Sequence, residues 1–153
     1  MKRDVLNMIL HNLKLELQQM ENQWHKILFL CNDTGLERQL KKLEQRIEVL
    51  NLNRMLSELL INIPKKKYPL YVEEILQNFL NDQSKLYLLQ HIEILFDPVL
   101  QINPVRLLEN ISKRNRLIIK WPGKYTNGIL IYAESGHPEY FTCSDFEGKV
   151  IVN

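Results

Sequence analysis

Residues 26–40, Lys-Ile-Leu-Phe-Leu-Cys-Asn-Asp-Thr-Gly-Leu-Glu-Arg-Gln-Leu, constrain the fold more than any other stretch of this chain. Lys26 to Leu30 is an apolar run too short for a helix, Asn32 to Gly35 is turn material, and Leu36 and Leu40 open a helical stripe. A strand that turns into a helix this sharply has the layout of a phosphate-binding P-loop. There, G-x-x-x-x-G-K-[ST] lets backbone N–H groups approach phosphate, a lysine reach the β and γ oxygens and a hydroxyl hold magnesium. Here only Gly35 stands at the helix start, and Leu36 and Glu37 follow where the lysine and hydroxyl belong. A carboxylate in the first helical turn competes with a triphosphate for the positive end of the helix dipole. Thr34-Gly35-Leu36-Glu37 also matches a capping box, by which the helix satisfies its own first N–H groups.

The remaining periodicities alternate between strand and helix. Leu6, Ile9, Leu10, Leu13, Leu17, Met20 and Trp24 predict a helix from about Arg3 to Gln23, packed on a sheet or on a neighbouring chain. The helix after Gly35 is expected to run to Arg46, on a stripe of Leu36, Leu40, Leu43 and Ile47. Glu48 to Asn51 reads as a brief strand, Leu52 to Ile63 as a helix ended by Pro64, and Tyr71 to Asp82 as another. Leu86 to Phe96 is mostly apolar and predicts a central strand; Asn103-Pro104 has the form of a cap and first turn; Arg116 to Trp121 is the next strand. Short β-rich pieces follow at 128–133, 139–143 and 149–152, expected as antiparallel additions at an edge. The sequence therefore predicts one α/β domain over 1–153 in three layers, with a mainly parallel sheet, P-loop-like in topology: helix 1–24, core 25–122 and β-rich extension 123–153.

Composition excludes several classes. Charged residues make up 25% and hydrophobic residues 45%, which is globular rather than disordered usage. Twenty basic against 18 acidic side chains give no electrostatic footprint for nucleic acid. Cys31 and Cys143 lack CxxC spacing and are expected as free thiols in a reducing cytoplasm. Asp4, Asn7 and His11 interrupt the N-terminal apolar residues, so neither a signal peptide nor a membrane span is expected.

In order, Leu86-Tyr-Leu-Leu-Gln-His-Ile-Glu-Ile-Leu-Phe-Asp-Pro98, Asn103-Pro-Val-Arg-Leu-Leu-Glu-Asn-Ile-Ser-Lys-Arg-Asn-Arg116, Trp121-Pro-Gly123 and Tyr132-Ala-Glu-Ser-Gly-His-Pro-Glu-Tyr140 resemble the BrxF family, the small P-loop proteins of type 3 BREX bacteriophage-defence operons. The likeness runs from Trp24 onward. It implies a glycine-rich loop ending in Gly-Lys-Thr after the first strand and an aspartate at the end of the apolar part of the later strand. Both positions differ here: the first is Asn32-Asp33-Thr34-Gly35-Leu36-Glu37-Arg38, and the second falls on Gln90. An amide offers Mg²⁺ a neutral carbonyl oxygen where a hard cation favours carboxylate. The vestigial nucleotide site is thus Asp33, Thr34, Gly35, Glu37, Arg38 and Gln90, with no cofactor expected; ATP with Mg²⁺ belongs to the alternative in which Arg38 compensates. The resemblance implies a component of a bacterial antiphage system, a catalytically inactive scaffold or regulatory subunit that contacts other defence proteins or itself, with an ATPase or a DNA-binding accessory subunit as the alternatives.

Other constellations have ordinary readings. His91 and Glu93 would share one side of a strand and invite a metal, but a credible site needs His137 alongside, and capping of the strand exit by Glu93 and Asp97 is the plainer role. Ser135-Gly136-His137-Pro138 lacks the nucleophile elbow of G-x-S-x-G and reads as a turn. Lys65-Lys66-Lys67 reads as a solvated loop. Trp121, Tyr125, Tyr132, Tyr140 and Phe141 near Arg116, Lys120 and Lys124 could stack on unpaired bases, but edge packing or a protein interface accounts for the same mixture.

Overall fold

The computed structural model describes residues 2–32 and 35–152. Five parallel strands form the main sheet in the order β2-β3-β4-β1-β8: β1 (Ile27–Cys31), β2 (Ile47–Asn51), β3 (Leu86–Gln90), β4 (Arg116–Lys120) and β8 (Lys149–Val152). Five helices accompany them, α1 (Lys2–Met20), α2 (Leu36–Leu43), α3 (Leu52–Leu60), α4 (Tyr68–Phe79) and α5 (Pro104–Ser112). Alternation along the strands divides the apolar side chains between two cores. Phe29, Tyr87, Leu89, Leu117 and Ile119 face α3, α4 and α5, whereas Leu28, Leu30, Leu88 and Ile118 face Ile9, Leu13 and Met20 of α1 and Leu36 and Leu40 of α2. The mainly parallel α/β architecture is as the sequence predicts.

Several boundaries differ, each for a local reason. α1 stops at Met20, leaving Trp24 beyond its end and 75% exposed instead of on the buried stripe. α2 stops at Leu43 because Glu44 turns extended (φ −134°, ψ 113°), and Ile47 enters β2. β3 stops at Gln90 rather than Phe96: His91 takes φ 51°, outside the β region, and Glu93–Phe96 wind into a 3-10 turn. The expected cap at Asn103 forms, its side chain accepting from Arg106 N at 3.1 Å with Pro104 in the first turn. Lys65–Lys67 form an exposed 3-10 turn.

The C-terminal third is organised otherwise than expected. β5 (Lys124–Thr126), β6 (Ile129–Tyr132) and β7 (Phe141–Cys143) make a separate antiparallel sheet, while the last segment, β8, lies parallel to β1. The small sheet packs into the larger core through Leu130 and an aromatic cluster. Phe96 stacks on Tyr132 with centroids 4.0 Å apart and meets Trp121 and Phe141 edge to face at 5.5 and 5.4 Å. Trp121 Nε1 donates to Ile131 O at 3.0 Å. The same carbonyl lies where a Cβ on Gly123 would sit, at 1.8 Å, so the Trp121-Pro-Gly123 segment works as a docking joint for the small sheet. Trp121, 4% exposed, is taken up with Tyr132 and Phe141 in the edge packing that the plainer reading of the sequence expects, while Tyr140 stays 45% exposed.

Arg116, at the start of β4, ties the ends of several elements together. Its Nη1 meets Glu44 Oε2 at 3.0 Å and its Nε meets Glu21 Oε1 at 3.2 Å. Partial burial pushes the Glu44 carboxyl up, but the Arg46 N–H and the Arg116 guanidinium outweigh it and hold Glu44 below its ordinary value.

Two expectations follow. Gly123→Ala destabilises by at least about 2 kcal/mol in denaturant titration, whereas Gly128→Ala, where a Cβ meets nothing within 4 Å and only φ 79° is strained, costs about 1 kcal/mol. Because Glu44 is held low in the folded state, its contribution is present above the ordinary carboxylate range and disappears as pH falls through the folded value; Arg116→Met flattens that acid limb of stability against pH.

Candidate functional site

The carboxyl ends of parallel strands, where connections leave toward opposite faces, are the usual place for a ligand in an open α/β sheet. In this chain β1 leads to α2 on one face and β3 leads, through the 3-10 turns, to α5 on the other, with β4 between them. Four of the sequence-predicted site residues, Gly35, Glu37, Arg38 and Gln90, sit at this end of the sheet; Asp33 and Thr34 lie outside the described residues, and with them the capping box. Gly35 precedes α2 with φ 80° and makes no side-chain cap, so Glu37 is the second helical residue.

The two altered positions meet. Gln90 Nε2 donates to Glu37 Oε2 at 3.0 Å, across 53 residues of sequence, joining the end of β3 to the first turn of α2. The other carboxylate oxygen, Oε1, pairs with Lys41 Nζ at 3.4 Å, one turn along the helix. Glu37 is therefore neutralised by a helical neighbour and oriented by an amide from the sheet. Arg38 is exposed and makes no ion pair among the described residues. Gly35, Glu37, Arg38, Gln39 and Lys41 border an open depression of about 580 Å³.

Beside Gln90, the backbone turns through His91, whose carbonyl accepts from Asn53 N at 2.9 Å. The Asn53 side chain then holds the turn from both ends, Nδ2 donating to Glu93 Oε2 at 2.9 Å and Oδ1 accepting from Ile94 N at 2.7 Å. This corrects the metal constellation: β3 has ended before His91, so His91 and Glu93 do not share a strand face, and Glu93 is spent on Asn53. Among the described residues no group of three His, Cys, Asp or Glu side chains converges for a metal. Asp97 caps the next turn, accepting from Val99 N at 3.0 Å. His137 accepts from Glu139 N at 3.0 Å within its own turn, and Ser135 and His137 form no catalytic pair.

Sequence reasoning missed Asn53 and Lys41. Lys41 was legible, since Glu37 and Lys41 stand at i and i+4. Asn53 was not, because its partners come from a turn 40 residues away. Cys31, the last residue of β1, is 1% exposed, and burial pushes its thiol up to about 11. Chemically, the site holds a satisfied carboxylate, an amide and two cations. No nucleophile with an adjacent base is present among the described residues.

No family model, curated protein or solved structure matches this chain.

The Cys31 environment has a pH consequence. The unfolded thiol ionises near 9 and the folded one near 11, so the Cys31 contribution to stability is constant below about pH 9 and falls between about 9 and 11; Cys31→Ala removes that slope, read from urea midpoints across the range. Under native conditions Cys31 resists a thiol reagent that labels Cys143.

Proposed function

We propose that this chain is a P-loop-like scaffold or regulatory subunit of a bacterial antiphage system of the BREX kind, working through protein contacts instead of ATP hydrolysis. The observation that carries the loss of hydrolysis is the Glu37–Gln90 hydrogen bond at 3.0 Å. In a P-loop phosphoryl-transfer site these places supply the hydroxyl and the acid that hold Mg²⁺. Here an acid replaces the hydroxyl and an amide replaces the acid, and each satisfies the other, while Leu36 stands where the lysine belongs. A triphosphate entering the first turn of α2 meets the Glu37 charge, and Gln90 turns its N–H toward Glu37 and keeps only a neutral carbonyl for a cation. The strand order supports the P-loop-like reading, because it sets β1 with its turn and β3 with Gln90 on either side of β4, two strands whose ends bracket one crevice. The antiphage context rests on the BrxF-like segments, which in this fold cover β3, α5, the start of β4 and the joint at Trp121 to Gly123.

A second reading keeps nucleotide binding, favoured by the exposed Arg38, without an ion pair among the described residues, beside the depression and by Lys41 one turn away. Calorimetric titration of the full chain with ATP and Mg²⁺ separates the two: no measurable heat at micromolar concentrations is expected, and micromolar affinity overturns the disarmed site. A Glu37→Gln variant is expected to remain blind to ATP as well, since lysine, hydroxyl and acid are all missing. In a host carrying the neighbouring genes, deletion of this one is expected to lower phage protection by orders of magnitude, and unchanged plating efficiency would refute the defence role.

A further inference from the structure

We infer that the free edge of β8 and the outward stripe of α1 form an interface with a second copy of this chain. Among the described residues β8 is hydrogen-bonded to β1 alone, which leaves its other side open at the border of the main sheet. The two borders are unlike. β2, the opposite border, carries Glu48 at its second position, paired with Lys85 at 3.0 Å, and ends in Asn51, a charged and polar edge of the kind that discourages strand addition. β8 carries one charge, Lys149, at its start, and then Val150-Ile-Val152, β-branched and uncharged.

Alongside that open edge runs a second apolar stripe. The buried side of α1 is accounted for by Ile9, Leu13 and Met20. Val5, Met8 and Leu15 lie on another side and are 54, 63 and 41% exposed. With Asn12 between them they step by three, four and three residues, the spacing of a helix-pairing seam with one polar position that fixes register. Asn12, Leu15 and Glu16 share a groove of about 270 Å³ with Lys149 to Val152, so the seam and the strand edge form one surface. The whole chain exposes 9257 Å², against about 8,100 Å² for a monomer of 18.3 kDa, an excess of the order that one partner buries in a stable dimer.

The surface selects its own copy. An extended peptide would cover the edge of β8 and leave the α1 stripe in water, whereas a two-fold axis beside β8 lays strand against strand and helix against helix at once. With the helices antiparallel, Val5 faces Leu15 of the other copy and Met8 faces Asn12. The rim suits this pairing: Glu16 and Lys149 stand at one end of the surface and Arg3 and Asp4 at the other, so each end offers both signs to its counterpart. The result is a continuous ten-stranded sheet with the two candidate sites turned to opposite ends. The scaffold reading gives this dimer a use, but its existence does not depend on the state of the nucleotide site.

Sedimentation velocity and light scattering on the full chain test it. The expected mass is twice 18.3 kDa at micromolar concentration and above, and amides of β8 gain hydrogen-exchange protection as concentration rises. Met8→Lys with Leu15→Lys changes only exposed positions, so circular dichroism stays native while the dimer dissociation constant rises about a hundredfold and the β8 protection is lost. A wild-type mass of 18.3 kDa at every concentration overturns the proposal, as does a dimer indifferent to both substitutions or an assembly larger than two. Should the variant unfold, the wild-type mass and the concentration dependence of β8 exchange decide alone. A monomer that does not bind ATP removes the dimer and leaves the disarmed site standing; a dimer that binds ATP does the reverse.

Discussion

The complete burial of β1 is the constraint on which the other elements depend. All five of its side chains are inaccessible, and its backbone is hydrogen-bonded to β4 on one side and to β8 on the other. A strand in that position cannot alternate apolar with polar; both faces must be covered, and every residue from Ile27 to Cys31 has to be apolar. Phe29 and Leu30 point to different cores, so helices are required on both sides of the sheet, α1 and α2 on one and α3 to α5 on the other. A register slip by one residue at β1 would exchange the occupants of two cores of different shape.

The same burial builds the platform at the carboxyl end of the sheet. Because β1, β3 and β4 are rigid, the residues just past them are held in fixed relation, and that is how Gln90 comes to meet Glu37. The contact is local chemistry of modest strength between two half-exposed groups, and it occupies the Glu37 carboxylate with an amide from the sheet. Asn53 performs a comparable service nearby, binding the His91 turn to α3 and preventing β3 from continuing. Among the described residues, Glu37, Gln90, Asn53 and Glu93 at this end of the sheet are hydrogen-bonded to one another in pairs.

How much could be read beforehand varied by element. The β1 run, the Asn103 cap and the helical stripes of α3 and α5 were legible because short-range patterns decide them: apolar period, cap chemistry, proline at a first turn. Leu86 to Phe96 misled because a buried strand and a buried 3-10 segment are both continuously apolar; only the left-handed His91, fixed by Asn53 from a distant helix, ends the strand. For Trp121 and Tyr132 edge packing was the plainer reading beside base stacking, and the small sheet does close over them, though which partners they meet is set by segments far apart in sequence. Of the candidate site, Gly35, Glu37 and Gln90 could be named from the sequence, but not that two of them would touch.

The sequence by itself determined the alternation of strands and helices, the parallel character that such alternation demands, and the residue types at the turn after β1 and at the end of β3, where Leu36, Glu37 and Gln90 stand; these are properties of residue type and spacing over a few positions. Tertiary structure alone decided that β8 would lie parallel beside β1 instead of extending the small sheet, that Trp121 would be buried beneath that sheet, and that Glu37 and Gln90 would pair. Those outcomes depend on which segments, separated by tens of residues, find enough apolar surface on one another to offset the entropy of bringing them together, and no local pattern encodes that sum.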